Sequence, residues 1–180
     1  AGARDAQHLV DAELSGPRTG NGWRLPDPAA GRLDAPLVDR AVTQATQMGA
    51  LPLEEALYFF AYVDGAGRTL DGRASYDLRF EAGALPAHAP LGFWSVTMYG
   101  DDALLVDNEL DRYLIRPDTE GLRFGADGSL TLRLSHERPS DPANWLPAPA
   151  GPFNLGLRVY LADPGVVDGT WLPPAVTPVT

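Results

Sequence analysis

The chain has 180 residues, a length that suits one domain, and its 44% hydrophobic and 21% charged content is at odds with disorder or a coiled coil. All 14 positive charges are arginine and cysteine is absent, which excludes Schiff-base lysines, the P-loop lysine, thiol nucleophiles, disulfides and Cys-ligated zinc. Against 24 acidic residues the formal net charge is −10, which opposes a nucleic-acid backbone or an anionic membrane surface.

Residues 1–32 read as an N-terminal segment, a short helix followed by an extended arm, broken by Gly16-Pro17, Gly20-Asn21-Gly22 and Pro26-Asp27-Pro28. Its one large apolar residue, Trp23, is expected to pin the arm to the body, with a ligand-lid role as the alternative. The chain begins at Ala1 rather than Met, so removal of a signal peptide or anchor is left open. Residues 33–180 read as a single domain. Asp34 suits an N-cap, and Leu37, Ala41, Ala45 and Met48 recur at helical spacing up to Gly49. Pro52, Glu54 and Glu55 start a second short helical turn; adjacent carboxylates there point in different directions, which disfavours a catalytic acid/base pair.

The period then changes to two. Strands are expected at Leu57–Val63, Tyr76–Phe80, Phe93–Tyr99, Leu104–Val106, Tyr113–Ile115, Leu130–Leu134 and Phe153–Leu161. In the last of these, Phe153, Leu155, Leu157, Val159 and Leu161 form the inward set, and Asn154, Gly156, Arg158 and Tyr160 the opposite face. The longest apolar run, Ala56 to Val63, falls well short of the ~20 residues of a membrane span. This pattern predicts a mainly β chain: an antiparallel, jelly-roll-like β-sandwich with one or two N-terminal α-helices.

Several strings occur in order: Phe93-Trp94-Ser95-Val96-Thr97-Met98-Tyr99, Val106-Asp107-Asn108 with Arg112-Tyr113, Asp127-Gly128-Ser129-Leu130-Thr131, Asn144-Trp145-Leu146-Pro147, Leu157-Arg158-Val159-Tyr160 and Gly169-Thr170-Trp171-Leu172-Pro173-Pro174. Together they resemble the bacterial domain-of-unknown-function family 1214, over roughly Leu33 to Val179. Members often follow a domain of family 1254; without that companion the chain looks like a stand-alone member. The resemblance implies a jelly-roll sandwich and a periplasmic or secreted setting, and no settled activity.

The three histidines, His8, His88 and His136, show no metal-ligand spacing, so no metal or cofactor is expected. His136 extends the parity of Leu130, Leu132 and Leu134 to the rim of the inward face, where it reads as a general base or as a hydrogen-bonded core-edge residue. No G-x-S-x-G elbow exists, and Asp127-Gly128-Ser129 reads as a turn. The acidic turns lack the EF-hand pattern, and Arg112 can neutralise Asp107, Glu109 and Asp111. The most suggestive constellation is Asn108, Arg112, Tyr113, Asn144, Trp145, Arg158 and Tyr160, with Trp94 and Tyr99 nearby. Planar arginine forks among amides and rings suit a carboxylate or sugar-like ligand. The structural alternative has Arg112 and Arg158 paired with Asp107 or Asp111 while Trp145 staples a loop. The expected function is a soluble envelope-associated domain binding a small polar or carbohydrate-like ligand, or acting as an accessory module with a protein partner. The alternatives are a metal-independent hydrolase, lyase or isomerase using His136 with Arg112 or Arg158, and a structural subunit of a membrane-associated complex.

Overall fold

The computed structural model describes His8 and residues 21–47 and 49–179. Most of the expected N-terminal helix, the first half of the arm and Met48 lie outside these residues. Nine strands are described: β1 (Trp23–Arg24), β2 (Ala56–Ala61), β3 (Tyr76–Phe80), β4 (His88–Gly100), β5 (Leu114–Ile115), β6 (Leu130–Ser135), β7 (Trp145–Pro147), β8 (Phe153–Ala162) and β9 (Val176–Pro178). Two helices accompany them, α1 (Leu37–Thr46) and α2 (Pro164–Val167). One sheet runs β1-β2-β8-β4-β5 and the other β7-β6-β3-β9.

The sheets pack face to face because each strand alternates. In β2, Leu57 and Phe59 are buried and Tyr58 and Phe60 face away; in β4, Trp94, Val96 and Met98 are buried. Leu78 and Phe80 of β3 and Leu130, Leu132 and Leu134 of β6 meet them in one continuous core. Phe80 lies 6.0 Å from Trp94 and Tyr76 5.8 Å from Phe153, each ring pair bridging the two sheets. Fully burying each such side chain contributes about 1.5–3 kcal/mol.

Four expectations are corrected. The sandwich is not wholly antiparallel, since β7 runs parallel to β6. Leu104–Val106 is no strand: Gly100 N–H donates to Leu104 O at 2.9 Å, and after one bridge between Tyr99 and Leu105 the chain leaves the sheet. Pro36, not Asp34, occupies the N-cap of α1, and Leu37 is 78% exposed whereas Val42 is buried. Helical spacing reveals an apolar stripe but not whether a partner covers it. Leu161 adopts φ +50 and turns outward at the end of β8, ending the inward series at Val159.

Trp23 does hold the arm. It is fully buried, donates Nε1–H to Pro174 O at 2.8 Å, and β1 pairs with β2. Glu54 pairs with Arg32, so that carboxylate is engaged at the surface. Among the described residues no helix is long and apolar enough to cross a membrane.

Candidate ligand-binding site

The outer face of the five-stranded sheet carries the residues left by the core. The β4–β8 ladder pairs Phe93 with Tyr160, Ser95 with Arg158, Thr97 with Gly156 and Tyr99 with Asn154; on the other side of β8, Tyr58 pairs with Arg158 and Phe60 with Gly156. Arg158 therefore starts in the middle of the face. Its guanidinium leans one row along, over Gly156, and donates from Nη1 to Thr97 Oγ1 at 3.1 Å and from Nη2 to Tyr99 OH at 2.7 Å. It lies 5.8 Å from the Tyr58 ring centre and 5.7 Å from that of Tyr99, within cation–π range. Gly156 makes the room: a Cβ there would stand 3.3 Å from Tyr99 Cε2 and 3.5 Å from Arg158 Nη1.

A cleft of two lobes meets at Tyr99, Arg158 and Tyr160. The larger, about 750 Å³, extends past Phe93, Leu105, Leu114 and Glu120. The smaller, about 430 Å³, extends past Tyr58, Phe60, Tyr62 and Gln47. Both volumes suit a small molecule. Phe93 and Tyr160 stack at 4.5 Å and form part of the floor.

The wall of the larger lobe is held by residues whose hydrogen bonds are spent on the backbone. Asn108 Nδ2–H donates to Val106 O and Arg112 O, and its Oδ1 accepts from the N–H groups of Leu110 and Arg112. Arg112 Nη1 donates to the carbonyls of Pro142, Ala143 and Trp145 at 2.8, 3.0 and 2.9 Å. Tyr113 donates its hydroxyl to Asp111 at 3.2 Å, and this bond to a carboxylate raises the phenol above its ordinary range. Neither Arg112 nor Arg158 pairs with a carboxylate among the described residues, so the expected ion pairs with Asp107 or Asp111 are absent there.

Of the nine residues singled out from the sequence, Tyr99, Arg112, Tyr113, Arg158 and Tyr160 line the cleft, and Asn108 braces its wall. Trp94 lies on the core side of β4, at odd spacing from Tyr99. Trp145 is buried, with Nε1–H donating to Ser135 O at 3.0 Å. Asn144 donates to Arg123 O and Thr131 O, and lines a separate depression with Arg133 and Asp77. Tyr58, Phe93, Ser95 and Thr97 were missed, although the parity of Tyr99 and the alternation of Leu57–Val63 place them on the same face.

His136 falls elsewhere. It stands exposed one residue beyond β6, with Nδ1 3.1 Å from Ala148 O, in a depression of about 270 Å³ shared with Asp107, Glu109 and Arg138. No lining residue is common to that depression and the Arg158 cleft. The parity of β6 stops at Ser135, which explains why the ring is not at the inward rim. Among the described residues no three His, Asp or Glu side chains converge as metal ligands.

A family model described as "Protein of unknown function (DUF1214)" matches residues 55–164, and the chain belongs to that family. The chain is similar in structure to the VPA0106 protein of Vibrio parahaemolyticus, with TM-score 0.71 and 28% identity over 99% of this chain and 43% of that one. It is also similar to an uncharacterized protein from Burkholderia cenocepacia, with TM-score 0.52 and 17% identity over 99% of this chain and 41% of that one, a likeness of fold alone. The chain thus spans less than half the length of either. No curated protein matches it.

Proposed function

We propose that this DUF1214 domain binds a small polar molecule in the cleft across the outer face of its five-stranded sheet, with Arg158 as the central contact. The observation that carries the reading is an arginine, half-buried among Tyr58, Tyr99 and Tyr160, that meets no carboxylate among the described residues. Removing a guanidinium from water is costly unless something compensates it, and in a chain of net charge −10 a neutralising partner was abundantly available. An anchor for a ligand accounts for the missing partner. Arg112, by contrast, is satisfied by three carbonyls and belongs to the wall.

The test is a thermal-shift screen of small organic acids and sugars against the wild type and Arg158→Ala. At least one compound raises the wild-type melting temperature and leaves the variant unmoved. A screen with no hit, or hits that survive Arg158→Ala, overturns the proposal.

A further inference from the structure

We infer that the ligand is a monocarboxylate carried on a ring, its carboxylate seated on Arg158 above Gly156 and its ring lying in the smaller lobe. This rests on the binding role just proposed and is carried by the direction of the hydrogen bonds. Thr97 Oγ1 and Tyr99 OH each accept from Arg158, and Tyr58 OH accepts from Leu51 N–H at 3.3 Å. Each hydroxyl has therefore used acceptor capacity and retains a proton for which no acceptor is found among the described residues. Arg158 adds to this supply, because among the described residues two of its five N–H groups are engaged and three are not. Against one unpartnered acceptor at the smaller lobe among the described residues, the buried Gln47 Oε1, donors are in excess around Arg158, and such an excess is the complement of an oxyanion.

Three further features narrow the class. Among the described residues Arg158 is the one charged side chain lining the smaller lobe, whereas the larger one mixes Asp111 and Glu120 with Arg112 and Arg116, so an anion on the smaller side meets no carboxylate. One guanidinium in a chain of net charge −10 compensates a single negative charge, which selects a carboxylate over a phosphate dianion. Tyr58, Phe60, Tyr62, Tyr99 and Tyr160 surround the smaller lobe, offering ring faces and edges to an aryl or a pyranose body. Gly156 is the positioning residue, since its bare backbone is what the guanidinium lies across.

Isothermal titration of the chain tests this with glucuronate against glucose, benzoate against benzamide, and glucose 1-phosphate as the dianion. The expected result is that at least one acid binds about tenfold or more tightly than its neutral counterpart and more tightly than the phosphate. Arg158→Lys, which keeps the charge but loses the planar fork, lowers that affinity by about tenfold or more. Arg158→Gln abolishes the acid's advantage, with circular dichroism confirming that both variants fold. If neutral counterparts bind as well as the acids, if the phosphate binds best, or if Arg158→Lys changes nothing, the carboxylate inference fails while the binding role stands. If no probe binds at all, the carboxylate inference fails, and the binding role is decided by the thermal-shift screen.

Discussion

Arg112 and Arg158 show one side-chain type in opposite circumstances. The first gives Nη1 to the carbonyls of Pro142, Ala143 and Trp145 and so ties the 105–120 segment to the start of β7. Arg112→Ala removes the side-chain donor from all three carbonyls, of which Pro142 O keeps the Trp145 N–H, and is expected to cost about 3 kcal/mol, read as a fall in the urea midpoint. Among the described residues Arg158 hydrogen-bonds to two hydroxyls and no carbonyl, and its partial burial works against folding. Arg158→Ala is therefore expected to change stability by no more than about 1 kcal/mol, in either direction. A loss as large as that of Arg112→Ala would make Arg158 a structural residue. The two look alike in the sequence, each an arginine within two residues of a tyrosine. What separates them is whether backbone carbonyls converge on the guanidinium, and those of Pro142, Ala143 and Trp145 come from thirty residues away or more.

At the scale of elements, register decides function. In β8, Leu155, Leu157 and Val159 fill the core while Asn154, Gly156, Arg158 and Tyr160 are left for the cleft, and a slip of one residue would exchange the two sets. The entry to this strand is pinned where Gly72 N–H donates to Gly151 O at 2.9 Å and Asp71 bridges Pro152. A Cβ at Gly72 would meet Pro149 O at 1.8 Å, so Gly72→Ala forces the two backbones apart. The expected loss is about 2 kcal/mol or more by urea unfolding, and an unchanged midpoint would contradict the close approach. Long alternating segments such as Tyr76–Phe80 and Phe153–Leu161 were legible because alternation repeated often enough to assign faces. Trp23–Arg24, Trp145–Pro147 and Val176–Pro178 are too short for any period to show; they are strands only because neighbours are there to pair with. The same reason explains Leu104–Val106, where local apolar content resembles a strand but the ladder gives it one bridge. In the site, Arg158 and Tyr160 were legible from parity, whereas Trp94 was grouped with Tyr99 by proximity in sequence although the two face opposite ways.

At the scale of the molecule, charge governs behaviour in acid. Ser129 Oγ and N–H and Arg79 donate to Asp127, and these bonds hold its carboxyl well below the usual range; Arg73 brings Asp71 down to about 2. A carboxyl whose folded pKa is depressed contributes stability above its unfolded value of 3.8, and that contribution is lost as pH falls toward the folded value. The urea midpoint is thus expected to drop between about pH 4 and pH 2, and to drop less steeply in Asp127→Asn, which lacks one of the linked protons. Equal slopes in the two proteins would show that the Asp127 contacts do not persist in solution. The sandwich also ends in very short strands: the described sheets are bounded by β1 and β5, of two residues each, and by β7 and β9, of three residues each and both closing on a proline. Borders this short offer little regular backbone of their own for an approaching peptide to pair with, one of the ways in which sheets discourage edge-to-edge association. The proposed cleft, by contrast, is read by side chains on a sheet face, so its selectivity can change through single substitutions there without disturbing the ladders beneath.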